Sequence, residues 1–199
     1  AVNNAKSYLI IKNGQTIDTI TKTSYQITPG TYAAYQVIAV DESGTGSFAS
    51  EPLIISSEEK RISIQMEKFA PEAAYPYSGF NGTGFTEISK TKNRIITFPA
   101  TVGENGTYLL HIRYANGNGP VNTDSRCALR NLYVNNHFVG ALIFPQRGKD
   151  EWSNWGYSNL LSVYLTKGKN ILSIVFEDNN ENMDGEVNQV MLDEVVIYR

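Results

Sequence analysis

Apolar and polar residues alternate in short stretches along this chain, and no stretch keeps a 3.6-residue period for the length of a helix. From Ile62 onward the alternation predicts eight strands: Ile62–Phe69, Arg94–Phe98, Thr107–Tyr114, Leu129–Val134, Phe138–Phe144, Leu160–Leu165, Ile171–Glu177 and Val190–Tyr198. Pro99, Pro120 and Pro145 fall at strand ends or in loops, where a missing donor does no harm. Eight antiparallel strands in about 140 residues fit a jelly-roll sandwich.

The first 56 residues carry a separate pattern. Tyr8 to Lys12 meets Asn13-Gly14, a strong two-residue hairpin signal, and Thr16 to Thr19 pairs back. Ser24–Thr28, Tyr35–Asp41 and Leu53–Ile55 complete the predicted strands. A short charged run, Ser56-Ser57-Glu58-Glu59-Lys60-Arg61, reads as a brief linker between a domain at 1–56 and one at 57–199, short enough to hold the two close together.

Composition narrows the function classes. With 41% apolar and 19% charged residues the chain can bury a core. A formal charge of −3 supplies no basic field for nucleic acid. No apolar run approaches the roughly 20 residues of a membrane span, and the N-terminus does not read as a signal peptide. The single Cys127 excludes an internal disulfide and reads as a small core hydrophobe. Twelve tyrosines, eight phenylalanines and many Asn/Gly turns describe an all-β protein with polar loops.

Between Arg113 and Trp155 lie Arg113-Tyr114-Ala115-Asn116-Gly117, Tyr133-Val134-Asn135-Asn136 and Trp152-Ser153-Asn154-Trp155. Leu165-Thr166-Lys167-Gly168-Lys169-Asn170 follows, and then a last strand with Leu192-Asp193. In this order the motifs resemble the carbohydrate-binding modules of families 35 and 6 over residues 57–199. The run Tyr35-x-Val37-x-Ala39-Val40-Asp41-x-x-Gly44, ending in Ser50-Glu51-Pro52, is similar to the C-terminal part of a fibronectin type III domain. Together these imply an all-β chain: a galactose-binding-like jelly-roll β-sandwich preceded by a smaller, incomplete type III-like sandwich. They imply non-catalytic carbohydrate binding in a C-terminal fragment of a secreted or cell-surface bacterial glycoside hydrolase, with a catalytic domain elsewhere in the parent chain. Plant or host glycans are the implied ligands.

In Ile62-Ser63-Ile64-Gln65-Met66-Glu67, Gln65 and Glu67 share one strand face about 6.8 Å apart. The resemblance implies that this strand and an aspartate of the last strand hold a structural Ca²⁺, here through Gln65, Glu67 and Asp193. Gln65 stands where the families have an acid, removing one charge. A hard cation would satisfy a buried Asp193, whose carboxylate is otherwise costly among apolar neighbours. The other reading exposes Glu67 and Asp193 on edge strands, or pairs them with Lys68 or Arg199.

A sugar offers an apolar ring face and a rim of hydroxyls, so its site needs aromatic platforms and planar amides. The loop Ala115–Asn122 supplies amides, and Asn116 matches the family's sugar-contacting asparagine. Counting back from Leu165 puts Val163, Leu161, Asn159, Tyr157 and Trp155 on one strand face if no bulge intervenes. Trp155 then points to the core and Trp152 stays in the loop to stack on sugar. Tyr77 and Phe80 are candidates for a second aromatic wall, and Asn188 for a polar contact from the loop Glu177–Asn188. Arg126, Arg130 and Arg147 are candidates for recognising a uronate. The rival readings are a ligand-free packing module and a two-carboxylate glycosidase built on Asp150/Glu151 or Asp184/Glu186.

Overall fold

The computed structural model describes residues 4–27, 33–55, 61–120, 126–181 and 188–199. The chain divides into two compact units, one of residues 1–61 with Arg199 and the other Ile62–Tyr198. The polar run 56–60 predicted as a linker, and the loop residues 121–122 and 182–187 with Asp184 and Glu186, lie outside the described residues.

In the first unit, β1 (Ser7–Lys12) and β2 (Gln15–Ile20) form the predicted hairpin. Asn13 and Gly14 both take positive φ, 51° and 80°, as a two-residue turn between twisted strands demands. β3 (Ala33–Val40) and β4 (Leu53–Ile55) complete a sheet ordered β2-β1-β3-β4. Ser24–Ile27 of the predicted strand has no strand pairing, and Thr28 lies outside the described residues. Where a partial sandwich was expected, the described residues of this unit form a single sheet.

The second unit packs two sheets. One is ordered β11 (His137–Phe144), β10 (Ala128–Val134), β15 (Gly168–Val175), β7 (Ile95–Val102). The other runs β13 (Gly156–Tyr157), β8 (Gly106–Ala115), β16 (Val190–Tyr198), β5 (Arg61–Gln65). Outside that order, β14 (Leu161–Leu165) pairs with β8 and β6 (Thr86–Ile88) with β16. Inward positions from both sheets, including Phe98, Leu110, Ile112, Leu132, Leu172 and Val195, share one core. Pro99 lies inside β7 rather than at its end. Because β7 is an edge strand, the absent N–H removes no ladder bond. The strand predicted through Phe69 stops at Gln65, where Met66–Lys68 turns as a 3₁₀ helix. Phe69 and Ala70 donate back to the Met66 carbonyl at 3.0 and 3.2 Å.

Two bulges set the phase of side chains near the loops. Gly156 faces Tyr114 while Leu161 faces Leu110, so five steps along β13–β14 match four along β8. Leu192 faces Tyr114 while Val195 faces Ile112, so Asp193 and Glu194 together span the position opposite Arg113. An extra residue of this kind sends the following side chains to the other face.

Candidate functional site

Loops at one end of the second unit are laced together by backbone bonds. β9 (Asn118–Gly119) pairs with β12 (Gly148–Lys149). Arg147 N–H donates to Asn116 O at 2.8 Å and Asp150 N–H to Gly117 O at 2.9 Å. The tryptophan loop folds onto this hairpin, and the Trp152 ring lies on Gly117, where a Cβ would come within 2.7 Å of three ring atoms. Phe85, Ala115 and Met191 form a small buried cluster here, walled by half-buried Tyr77, Phe80, Trp152 and Trp155. Tyr77 stacks on Trp152 at 5.9 Å and 12°, and on Tyr75 at 5.2 Å and 16°.

The structure redistributes the expected roles. Trp155 does not point into the main core. The β13–β14 bulge turns it to the opposite face, where it meets Phe85 at 5.5 Å and lies against Arg113, while its Nε1–H donates to Ser78 O at 2.7 Å. Tyr157 is turned with it and stacks on buried His111 at 4.1 Å. Trp152 and Tyr77, expected to meet a sugar, pack into the aromatic cluster, and Trp152 is half-buried, with one face seated on Gly117.

Asn116 is fully buried. Its amide donates to Arg126 O and Phe144 O and accepts from both nitrogens of Asn118, which uses its full capacity. Asn116 shapes the loop rather than offering itself to a ligand. Asn188 is also buried, bonded to Leu129 N–H, Arg130 and Asn180 O. An asparagine matched by motif alone carries no information on whether its amide is already satisfied.

Of the arginines considered for uronates, Arg130 is buried, bonded to Asn188, Leu129 O and Ser89 O and lying over Phe176. Burial, with Arg94 close by, holds its guanidinium down to about 9. Arg147 donates to Asn154 O at 2.9 Å and covers Gly156. Of the acids considered for catalysis, Glu151 accepts from Asn154 Nδ2 at 2.9 Å.

The sequence reading missed the residues that line the adjoining cleft. It measures 460 Å³ and is bordered by Pro71, Glu72, Ala73, Ala74, Tyr75, Glu87, Lys92 and Asn93. Tyr75 is the most exposed ring of the aromatic series, at 37%. Glu87 is buried at the floor, accepting from Gln189 Nε2 at 2.7 Å, Lys92 Nζ at 2.7 Å and Tyr75 Oη at 3.0 Å. Burial pushes the Glu87 carboxyl up, but these three donors together bring it below its ordinary value. Tyr75 stands two residues before Tyr77 in the sequence. The Glu87–Gln189 contact arises only because β6 pairs with β16.

The three residues expected to hold calcium gather around the loop Asn81–Gly84. Gln65 Oε1 lies against Gly82, and Glu67 Oε1 accepts from Thr83 Oγ1 at 3.0 Å. Gln65 Oε1 and Glu67 Oε2 are buried without a hydrogen-bond partner among the described residues, as cation ligands would be. Asp193 is fully buried and already engaged: it pairs with Arg113 and accepts Asn81 N–H at 3.1 and 3.0 Å. Burial raises its carboxyl above the ordinary value, against the lowering effect of Asn81 and Arg113. Among the described residues, no three His, Cys, Asp or Glu side chains form a metal cage. Two oxygens of this corner suit a hard cation, whereas Asp193 would have to share its charge with Arg113.

No family model matches the chain. Solved structures nonetheless share its fold. It superposes on a family 35 carbohydrate-binding module from Clostridium thermocellum with a TM-score of 0.52 and 18% identity, covering 69% of this chain and 96% of that one. A family 35 module from Cellvibrio japonicus gives 0.51 and 19%, covering 70% and 93%. The fold of the second unit is the family 35 β-sandwich, as the motifs implied.

In sequence, the chain is 32% identical over 104 residues to a cycloisomaltooligosaccharide glucanotransferase of Niallia circulans, covering 52% of this chain and 10% of that protein. It is 28% identical over 136 residues to an isomaltosyltransferase of Sporosarcina globispora, covering 66% and 11%. The matches thus span about a tenth of the length of these curated relatives. No helix among the described residues is long and apolar enough to cross a membrane.

Proposed function

We propose that the second unit is a non-catalytic carbohydrate-binding module that holds an attached, secreted bacterial glycoside hydrolase on its glycan. The reading rests on the Tyr75 cleft, where an exposed ring stands beside a floor of carboxylate, ammonium and amide groups. An aromatic platform with directed polar groups is what an amphipathic sugar requires. The names of the relatives, a cycloisomaltooligosaccharide glucanotransferase and an isomaltosyltransferase, favour isomalto-type gluco-oligosaccharides over the plant and host glycans first considered. Affinity is modest, because a shallow site desolvates many hydroxyls for each ring it covers.

The test is a calorimetric titration with isomaltotriose and longer isomalto-oligosaccharides, alongside Tyr75→Ala. Saturable heat that disappears in the variant supports the reading. Binding unchanged in Tyr75→Ala removes the cleft from it, and no binding to any glycan removes the function. The second reading, a packing module without a ligand, draws on the saturated amides of Asn116 and Asn188 and on the seated Trp152. It predicts no binding to any glycan.

We further propose that Gln65 and Glu67, with Asp193, hold a structural Ca²⁺. The support is the pair of buried, unpartnered oxygens at this corner. A bound ion would tie β5 and the 3₁₀ turn to the Asn81–Gly84 loop, supporting one edge of the sandwich.

A further inference from the structure

We propose that the Tyr75 cleft selects uncharged glycans, with Glu87 as the residue that determines this specificity by accepting sugar hydroxyls and rejecting uronates. The inference rests on the carbohydrate reading of the same cleft. A carboxylate offers about four acceptor positions, and three at Glu87 are taken by Gln189, Lys92 and Tyr75. The remaining position can only accept, so it suits a hydroxyl and repels a second carboxylate. The three donors also fix the orientation of the group, since β6 is buried throughout and the carboxylate does not rotate freely.

Lys92 does not reverse the sign. Its ammonium lies 2.7 Å from Glu87 Oε2, so these two charges offset each other and Glu72 leaves the cleft with an excess of negative charge. Glu72 lines the same cleft with its carboxyl group against Gly84. Two carboxylates therefore face one ammonium, and no arginine is among the residues lining the cleft. A uronate arriving here meets like charge without the bidentate guanidinium that would offset it. The expected selectivity is opposite to what the three candidate arginines had suggested.

The test compares isomaltotriose with the same trisaccharide oxidised to a carboxylate at its terminal C6, titrated into the full chain at pH 7. The neutral sugar is expected to bind roughly tenfold or more tightly than its uronate. Glu87→Gln keeps the shape and removes the charge, and it should shrink that ratio to about threefold or less. Lys92→Met should widen it. Melting temperatures of both variants establish that each is folded. Equal affinity for the two sugars, or a ratio unchanged in Glu87→Gln, overturns the selectivity while leaving carbohydrate binding standing. Absence of binding to either sugar overturns the isomalto-oligosaccharide reading and the selectivity with it.

Discussion

Gly117 decides where Trp152 sits. A Cβ there would come within 2.7 Å of Cδ1, Cδ2 and Cε2 of a ring held between neighbours, so Gly117→Ala must displace the indole. We expect a loss of about 1–3 kcal/mol in urea unfolding together with shifted tryptophan emission. Unchanged emission would contradict this seating. The two tryptophans should also separate. Trp155→Ala loses the Ser78 bond and packing on Phe85, for about 2–3 kcal/mol, less than the 3–5 of a wholly buried ring. Trp152→Ala loses stacking on Tyr77 and should cost about 1–2 kcal/mol.

Glu87 carries a pH dependence. Its pKa is below the ordinary 4.5, so its stabilising effect is complete above that value and is lost as pH falls through the lower, folded value. The melting temperature should therefore fall on acidification below about pH 4.5, with a smaller fall in Glu87→Gln. Identical acid profiles for the two proteins would exclude Glu87 as the cause.

Among elements, the edge strand β11 shows how a single side chain can stand in for a strand. Asn159 accepts Ile143 N–H at 2.7 Å and donates to Ala141 O at 2.9 Å, filling a backbone register that would otherwise be open. Asn159→Ala should cost about 1 kcal/mol, since water can reach both groups, and should increase concentration-dependent light scattering. No change in either measurement would mean that the edge is protected otherwise.

The bulge at Asp193–Glu194 was legible in principle. Leu192 and Val195 are three apart yet both enter the core, a break in alternation that only an extra residue permits. The bulge between Tyr157 and Leu161 left no such mark, because Ser158, Asn159 and Leu160 suit several phases. The face assigned to Trp155 was wrong for that reason.

At the scale of the whole molecule, the corner formed by Gln65, Glu67 and Asp193 offers a test of metal dependence. A ligand that binds only the folded state stabilises it by about 2.7 kcal/mol at a hundredfold excess over its Kd. Added Ca²⁺ should raise the melting temperature by several degrees, and a chelator should reverse the effect without unfolding the chain. A melting temperature indifferent to both, with Glu67→Gln equally indifferent, would leave Arg113 as the cation that serves Asp193.

Hydrophobic alternation by itself determined that this chain is all-β, where most strands lie, and that Asn13-Gly14 closes a hairpin, because these depend on neighbours in sequence. The order of its motifs was enough to reach the family 35 fold. Tertiary structure alone decided which side chains remain available to a ligand. Asn116 and Asn188 each owe part of their saturation to distant partners, Asn116 to Phe144 28 positions away and Asn188 to Leu129 59 positions away. Glu87 and Gln189 meet across 102 positions through the pairing of β6 with β16. Each such contact depends on strand register, and a one-residue slip in register moves a side chain to the opposite face of its sheet.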